Sequence, residues 1–167
     1  CTYNQLNMGK NFLYEKSLSL VYKNESKCKC ALTIMDGNFC SIYPQDIDNN
    51  IYTLTDVKET PLIKSENIKD ITNYKFSNKI LHEKIKLFEK NIQHYYPRFK
   101  DEFKYIDYFL SFKCKPLSTS DSREVYIEYN KDKNYLSVNC GKITGIFELE
   151  DYIKEHTELL SDNTFRV

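Results

Sequence analysis

Tryptophan is absent from the 167 residues, and glycine and proline number only four each. With so few residues that permit positive φ or lock φ, tight turns are few. Arginine is scarce as well: Arg98, Arg123 and Arg166 are the three among 24 basic residues, so Lys is the default cation and each Arg draws notice. Neither sign of charge is in surplus. A formal net charge of zero argues against a general nucleic-acid binder, which needs a broad excess of cations. No apolar run approaches the roughly 20 residues that span a bilayer, and no signal or transit sequence is visible. The six cysteines (1, 28, 30, 40, 114 and 140) contain no C-x-x-C pair. Zinc ligands usually come in closely spaced pairs, so no metal site is expected and a metal role is the lesser alternative. The cysteines read as ordinary residues of a reducing, cytoplasmic compartment, with Cys28 and Cys30 on one face of a strand. What is present is core-forming material, 41% hydrophobic and 14% aromatic, too rich for a disordered chain. At this length about 70% of the unfolded surface is buried on folding, so a soluble globular domain needs no covalent staple.

Alternation dominates the first third. Phe12, Tyr14, Leu18, Leu20 and Tyr22 share one parity, broken by Lys16, which predicts a half-buried strand. Cys28, Cys30, Leu32 and Ile34 repeat the pattern, and Asp36-Gly37 offers a tight hairpin turn. Phe39 to Tyr43 is a third strand stopped by Pro44, and Ile51 to Val57 a fourth. A helix follows: Leu81, Ile85, Phe88 and Ile92 fall on one stripe widened by Ile80 and Leu87, with Ser77 as N-cap and Pro97 at the exit. Ile106, Tyr108, Leu110, Phe112 and Cys114 alternate again. Val125–Tyr129 and Tyr135–Val138 form a hairpin, and Ile146, Leu149, Ile153 and Leu160 mark a closing amphipathic helix from Gly145. The expected fold is α+β: an antiparallel sheet with an inserted amphipathic helix packed on it, and a C-terminal helix.

Three constellations carry possible chemistry. Cys140-Gly141-Lys142-Ile143-Thr144-Gly145 is a strand running into a Gly-bracketed turn and a helix start, where backbone N–H groups and the helix dipole suit an electron-rich ligand atom. The plain alternative is a strand-to-helix turn with Thr144 as N-cap. Lys115, at the end of a strand, and Arg123 are cations suited to a carboxylate or phosphate; Asp121 with Arg123 reads equally as a surface turn pair. Phe39, Tyr43 and Tyr52 on adjacent strands either line a pocket or pack as core. His82, His94 and His156 have no Ser, Cys or carboxylate at a telling spacing, so a hydrolase triad is unsupported and no general base is named.

The stretch Met35-Asp36-Gly37-Asn38-Phe39-Cys40-Ser41-Ile42-Tyr43-Pro44, followed by Tyr52-Thr53-Leu54-Thr55-Asp56-Val57, resembles the FAD-dependent D-amino-acid-oxidase superfamily. Cys140-Gly141-Lys142-Ile143-Thr144-Gly145 is similar to that superfamily's closing G-K-x-T turn, and Lys115-Pro116-Leu117 to its Arg-Pro stretch, with Lys in place of Arg. The resemblance implies the substrate-binding portion of an FAD-dependent oxidoreductase that oxidises an alcohol or amine, sugar- or amino-acid-like, by hydride transfer to flavin. Residues 1–139 would be the substrate-binding α+β domain. Residues 140–167 would return to an FAD-binding domain whose G-x-G-x-x-G fingerprint this chain lacks. A start at Cys1 rather than Met suggests a fragment or a processed chain. Gly141, Lys142, Ile143, Thr144 and Gly145 would face the flavin; Lys115 and Arg123 would bind a substrate anion, with Tyr43 and Tyr52 lining the pocket. The implied partners are a small-molecule substrate and the missing domain, with no nucleic acid and no membrane span. The rival expectation is a non-catalytic α+β ligand-binding or interaction module.

Overall fold

The computed structural model describes residues 12–27, 29–35, 37, 39–117, 125–130, 135–139 and 143–156. Two units are distinguished: Leu13–Cys114, and Cys1–Phe12 together with Lys115–Val167. The first is organised around β1 (Phe12–Asn24) in a six-stranded sheet. β3 (Cys40–Asp46) pairs antiparallel with β4 (Ile51–Asp56), Ile42 opposite Leu54, and β4 pairs antiparallel with β1, Leu20 opposite Leu54. The two-residue β2 (Leu32–Thr33) adds to β3 at the edge. β5 (Pro61–Ser65) pairs antiparallel with the earlier part of β1, Tyr14 opposite Ser65. β4 and β5 therefore follow one another along β1, and the Leu18 N–H bridges the join by donating to the Thr60 carbonyl at 2.8 Å. β6 (Phe103–Pro116) also pairs with β1. The fold is α+β, as the order of elements predicts.

The join between β4 and β5 is pinned by one buried carboxylate. Asp56 accepts from the N–H groups of Lys58 and Glu59, both at 2.9 Å, and from Asn91 Nδ2 at 2.9 Å, while the Thr60 hydroxyl accepts from the Asp56 N–H at 3.0 Å. A buried carboxyl group that accepts three hydrogen bonds from its own turn and from α2 serves as a structural device.

Side chains of even number on β1, β3 and β4 build the core. Leu18, Leu20, Tyr22, Ile42, Tyr52 and Leu54 are fully buried and cluster with Leu81, Phe88 and Ile92 of α2 (Asn78–Tyr95). The helix begins where predicted, with the Ser77 hydroxyl accepting from the Ile80 N–H at 3.4 Å. Its buried stripe is narrower than expected, because Leu87 lies exposed. The short α3 (Phe99–Glu102) carries Phe99 inward, where it stacks on Phe103 at 5.1 Å and meets Tyr22 edge-on at 5.0 Å. Lys16, the break in the apolar parity of β1, stays on that side because its ammonium donates to the Tyr74 carbonyl at 3.2 Å. The same ammonium lies 5.7 and 5.5 Å from the Tyr74 and Phe112 ring centres.

Several expectations are corrected. β1 is buried on both faces between Ser17 and Tyr22, since Ser17, Ser19 and Val21 are buried as well as their apolar neighbours. Of the expected Cys28–Ile34 strand, the described residues form strand at Leu32–Thr33, which pair with β3, while Cys28 lies outside the described residues. Pro44 does not end β3: the register shifts between Pro44 and Asp46, and a bulge tolerates a residue without an N–H. Ile106 and Phe112 of β6 are exposed although Tyr108 and Leu110 of the same parity pack on the core, so the alternation does not mark a uniformly buried face. β5, α1 (Ile68–Asn73) and α3 have no counterpart in the sequence reading. The hairpin turn is supported at Gly37, whose φ of +70° is the left-handed conformation that glycine adopts without strain; Asp36 lies outside the described residues.

In the second unit, β7 (Tyr126–Asn130) and β8 (Tyr135–Asn139) form an antiparallel pair, Glu128 opposite Ser137. α4 (Gly145–Glu155) follows. Thr144 holds its N-cap position without a side-chain cap hydrogen bond, and first-turn N–H groups are met by backbone instead, Phe147 N–H donating to the Thr144 carbonyl at 3.1 Å. Leu160, expected in this helix, is outside the described residues. No described helix is long and apolar enough to cross a membrane.

Candidate functional site

Strand alternation that sends Ile42, Tyr52, Leu54, Leu20 and Tyr22 into the core sends a different set to the opposite face of the sheet. On β3 and β4 the cross-strand pairs there are Ser41–Thr55 and Tyr43–Thr53, and on β1 Val21 lies opposite Thr53, with Ser19, Ser17 and Glu15 following at two-residue steps. Hydroxyl groups thus outnumber apolar side chains on this face. Ser17, Ser19 and Thr53 are nonetheless buried, and the Thr53 hydroxyl donates to Gln45 Oε1 at 2.9 Å.

Charge enters at the Glu15 end. Glu15 is buried, accepts from the Ser17 hydroxyl, and lies 3.5 Å from the ammonium of Lys64 on β5 and 3.4 Å from that of Lys113 on β6. Lys64 is also its cross-strand partner. Burial alone would raise the Glu15 carboxyl; the Ser17 hydrogen bond and the two ammoniums outweigh it and hold the group below the usual carboxylate range. Glu15 is therefore an anion at neutral pH, a charge anchor rather than a proton donor. It sits about 20 Å from Val21 along the strand, six residues at roughly 3.3 Å each. Sequence reasoning missed this set because it followed the apolar parity of β1 and left the intervening Glu15, Ser17 and Ser19 unread.

The residues singled out from the sequence are placed as follows. Tyr43 is on the hydroxyl-bearing face, 41% exposed, as is Phe39 at the far end of β3's approach, exposed and with its carbonyl accepting from the Val57 N–H at 2.8 Å. Tyr52 is on the other face, 0% exposed, its ring edge-on to Phe103 at 5.3 Å. The two tyrosines point away from each other across the sheet, so no one pocket has both as lining. The Tyr52 hydroxyl is buried and finds no hydrogen-bond partner among the described residues. Tyr52→Phe keeps the ring and removes that orphan group, so stability should hold or rise by about 1 kcal/mol. A chemical-denaturation midpoint moved clearly downward would instead reveal a partner for the hydroxyl.

Lys115 is exposed near the end of β6. Ile143 and Thr144 are exposed and Gly145 buried at the start of α4, where Ile143, Ile146 and Phe147 present apolar side chains to solvent, Ile143 at 91% exposure. Gly141, Lys142, Arg123 and Asp121 lie outside the described residues. Burial raises the thiol pKa of Cys40, helped by the nearby Asp56 charge, and burial alone raises that of Cys114, so neither is an activated nucleophile. Among the described residues no three His, Cys, Asp or Glu side chains form a metal-holding group.

Comparison with known proteins adds one likeness. The chain is 31% identical over 144 residues to the FAD-dependent monooxygenase FPY4 of Fusarium mangiferae. The relative is a flavin enzyme. The alignment takes in 85% of this chain but 38% of the relative, so the chain spans less than half the length of the protein it matches. No family model matches the chain, and no solved structure does. The similarity supports an FAD-dependent oxidoreductase kinship.

Proposed function

We propose that this chain is the substrate-binding portion of an FAD-dependent oxidoreductase of the D-amino-acid-oxidase type, with residues 1–139 serving substrate and residues 140–167 returning to the flavin-binding part. The observation that carries the reading is the similarity to a flavin monooxygenase over 85% of the chain. The first turn of α4 supports it: Ile143, Ile146 and Phe147 form an apolar, solvent-facing surface, which fits a flat, largely apolar ring better than it fits water. When bound, flavin supplies the hydride acceptor for oxidation of an alcohol or amine.

The chain's own residues have separate tasks in this reading. The turn Gly141, Lys142, Ile143, Thr144 and Gly145 offers backbone N–H groups and apolar contact to the ring. Lys115 and Arg123 bind an anionic substrate group, Lys115 as a point charge rather than a bidentate fork. Tyr43 and the hydroxyls beside it suit a hydroxyl-bearing substrate, while Tyr52 serves only by packing behind that wall. The thiols of Cys40 and Cys114 accord with a cytoplasmic location.

The deciding measurement is the absorption spectrum of the natural full-length product. Oxidised-flavin bands are expected; a colourless folded protein that FAD does not reconstitute would leave a non-catalytic binding module. Ile143→Asp then tests the turn. An acid at a helix N-terminus is favourable, so folding is preserved, yet flavin content should fall by about tenfold because a carboxylate is costly to bury against a ring. Unchanged flavin content in that variant would remove α4 from the cofactor.

A further inference from the structure

We infer that the outward face of α2 carries a binding site for a small polyanion of the polyphosphate class. His82, Lys86, Lys90 and His94 recur every four residues and so form a single basic column along the helix. A cleft of about 710 Å³ opens beside the column's later part, lined by Lys86, Lys90 and His94 and by Lys100 from α3. The amides of Asn91 and Gln93 add neutral hydrogen-bonding groups, and Tyr95 supplies an aromatic wall, its ring meeting His94 edge-on at 4.8 Å. No carboxylate is among the lining residues.

The acid beside the cleft is already engaged, with the core and with the cleft's own Lys100, which leaves Lys86 and Lys90 as the cations to be matched. Glu89 accepts from the Tyr22 hydroxyl at 3.3 Å and pairs with Lys100 at 2.7 Å, leaving its carboxylate largely covered. Asn91 is held in place by donating to Asp56. Lys86 and Lys90 make no ion pair among the described residues. They stand one turn apart, a like-charge pair that the helix holds against repulsion and that a bridging anion would relieve. Elsewhere in this unit Lys84 pairs with Glu59 at 3.0 Å, and Lys64 and Lys113 pair with Glu15. Lys86 and Lys90 thus form a small local patch on a chain with no net charge, which favours a compact anion over a long nucleic acid.

Calorimetric titration of the natural full-length product with sodium tripolyphosphate at low salt tests the site. Saturable binding is expected in the parent protein. Lys86→Gln combined with Lys90→Gln should weaken it by about tenfold or more, since two charge-assisted contacts are lost. Lys69→Gln combined with Lys75→Gln, which removes equal charge from exposed positions elsewhere, should leave it within about twofold. Both pairs are at the surface, and matched thermal melts establish that all proteins are folded. Absence of saturable binding, or equal weakening by the two pairs, would overturn the site in favour of diffuse attraction. Tighter capture of a single-stranded oligonucleotide than of tripolyphosphate, lost in the Lys86/Lys90 variant, would overturn the choice of ligand.

Discussion

Phe88→Ala should destabilise the Leu13–Cys114 unit by about 3–5 kcal/mol, the cost of deleting a fully buried aromatic ring and leaving a cavity behind. Phe88 is 1% exposed at the centre of the α2 contact with the sheet, between Leu81 and Ile92. Replacing the exposed Leu87 next to it with Ala should cost little, because that side chain already contacts water. The pair of variants reads out which side of the helix faces the sheet. A denaturation midpoint lowered equally by both, or by Leu87→Ala alone, would mean that α2 is rotated from the orientation described. A loss of about 3–5 kcal/mol is a large share of the 5–15 kcal/mol that hold a typical domain, so urea titration at low temperature is the suitable measurement.

Charge reversal at Glu15 should be almost as damaging. Glu15→Lys places a third ammonium between Lys64 and Lys113 in a buried position, with an expected loss of about 3–5 kcal/mol. Glu15→Gln is milder, about 1–2 kcal/mol at neutral pH, because the amide oxygen still accepts from Ser17. The pH dependence separates charge from shape. The native carboxyl lies below its ordinary value of 4.5, so its contribution is present in full above about pH 4.5 and is lost as pH falls through the lower folded value. The stability gap between parent and Glu15→Gln should therefore be constant from about pH 5 to 7 and close in acid. A gap that persists unchanged to pH 2 would show that the lost interaction is steric.

The elements with long periodic signals were legible from the sequence alone. The α2 helix, its Ser77 cap and the alternating β1 and β4 strands follow directly from spacing, because one buried face imposes one period. Short elements were not legible: β5 and α1 have five and six residues, too few for periodicity to speak. Their bounds are set by short-range hydrogen bonds, Asp56 accepting from the Lys58 N–H at the turn and Asn67 capping α1 by accepting from the Lys69 N–H at 3.0 Å. Site residues fared by the same logic. Tyr43 and Tyr52 lie nine residues apart on paired strands, and only the pairing of Tyr43 with Thr53 reveals that they face opposite ways. Glu15 was passed over because a lone acid within an apolar-patterned strand looks like solvent decoration until Lys64 and Lys113 are seen beside it.

The pairing of β1 with β6 carries a consequence for how the chain is made. β1 leaves the ribosome first, but the strand that pairs with it last, β6, begins about 80 residues later, a delay of about 4–16 s at roughly 5–20 residues per second. Throughout that interval one side of an apolar strand has its N–H and C=O groups unsatisfied and open to a neighbouring nascent chain. β4 and β5 are synthesised sooner and can occupy only the other ladder. Closure of the sheet thus waits on a contact of long sequence separation, which makes folding slow for a chain this size and ties its yield to the rate of translation and the crowding of its ribosomes.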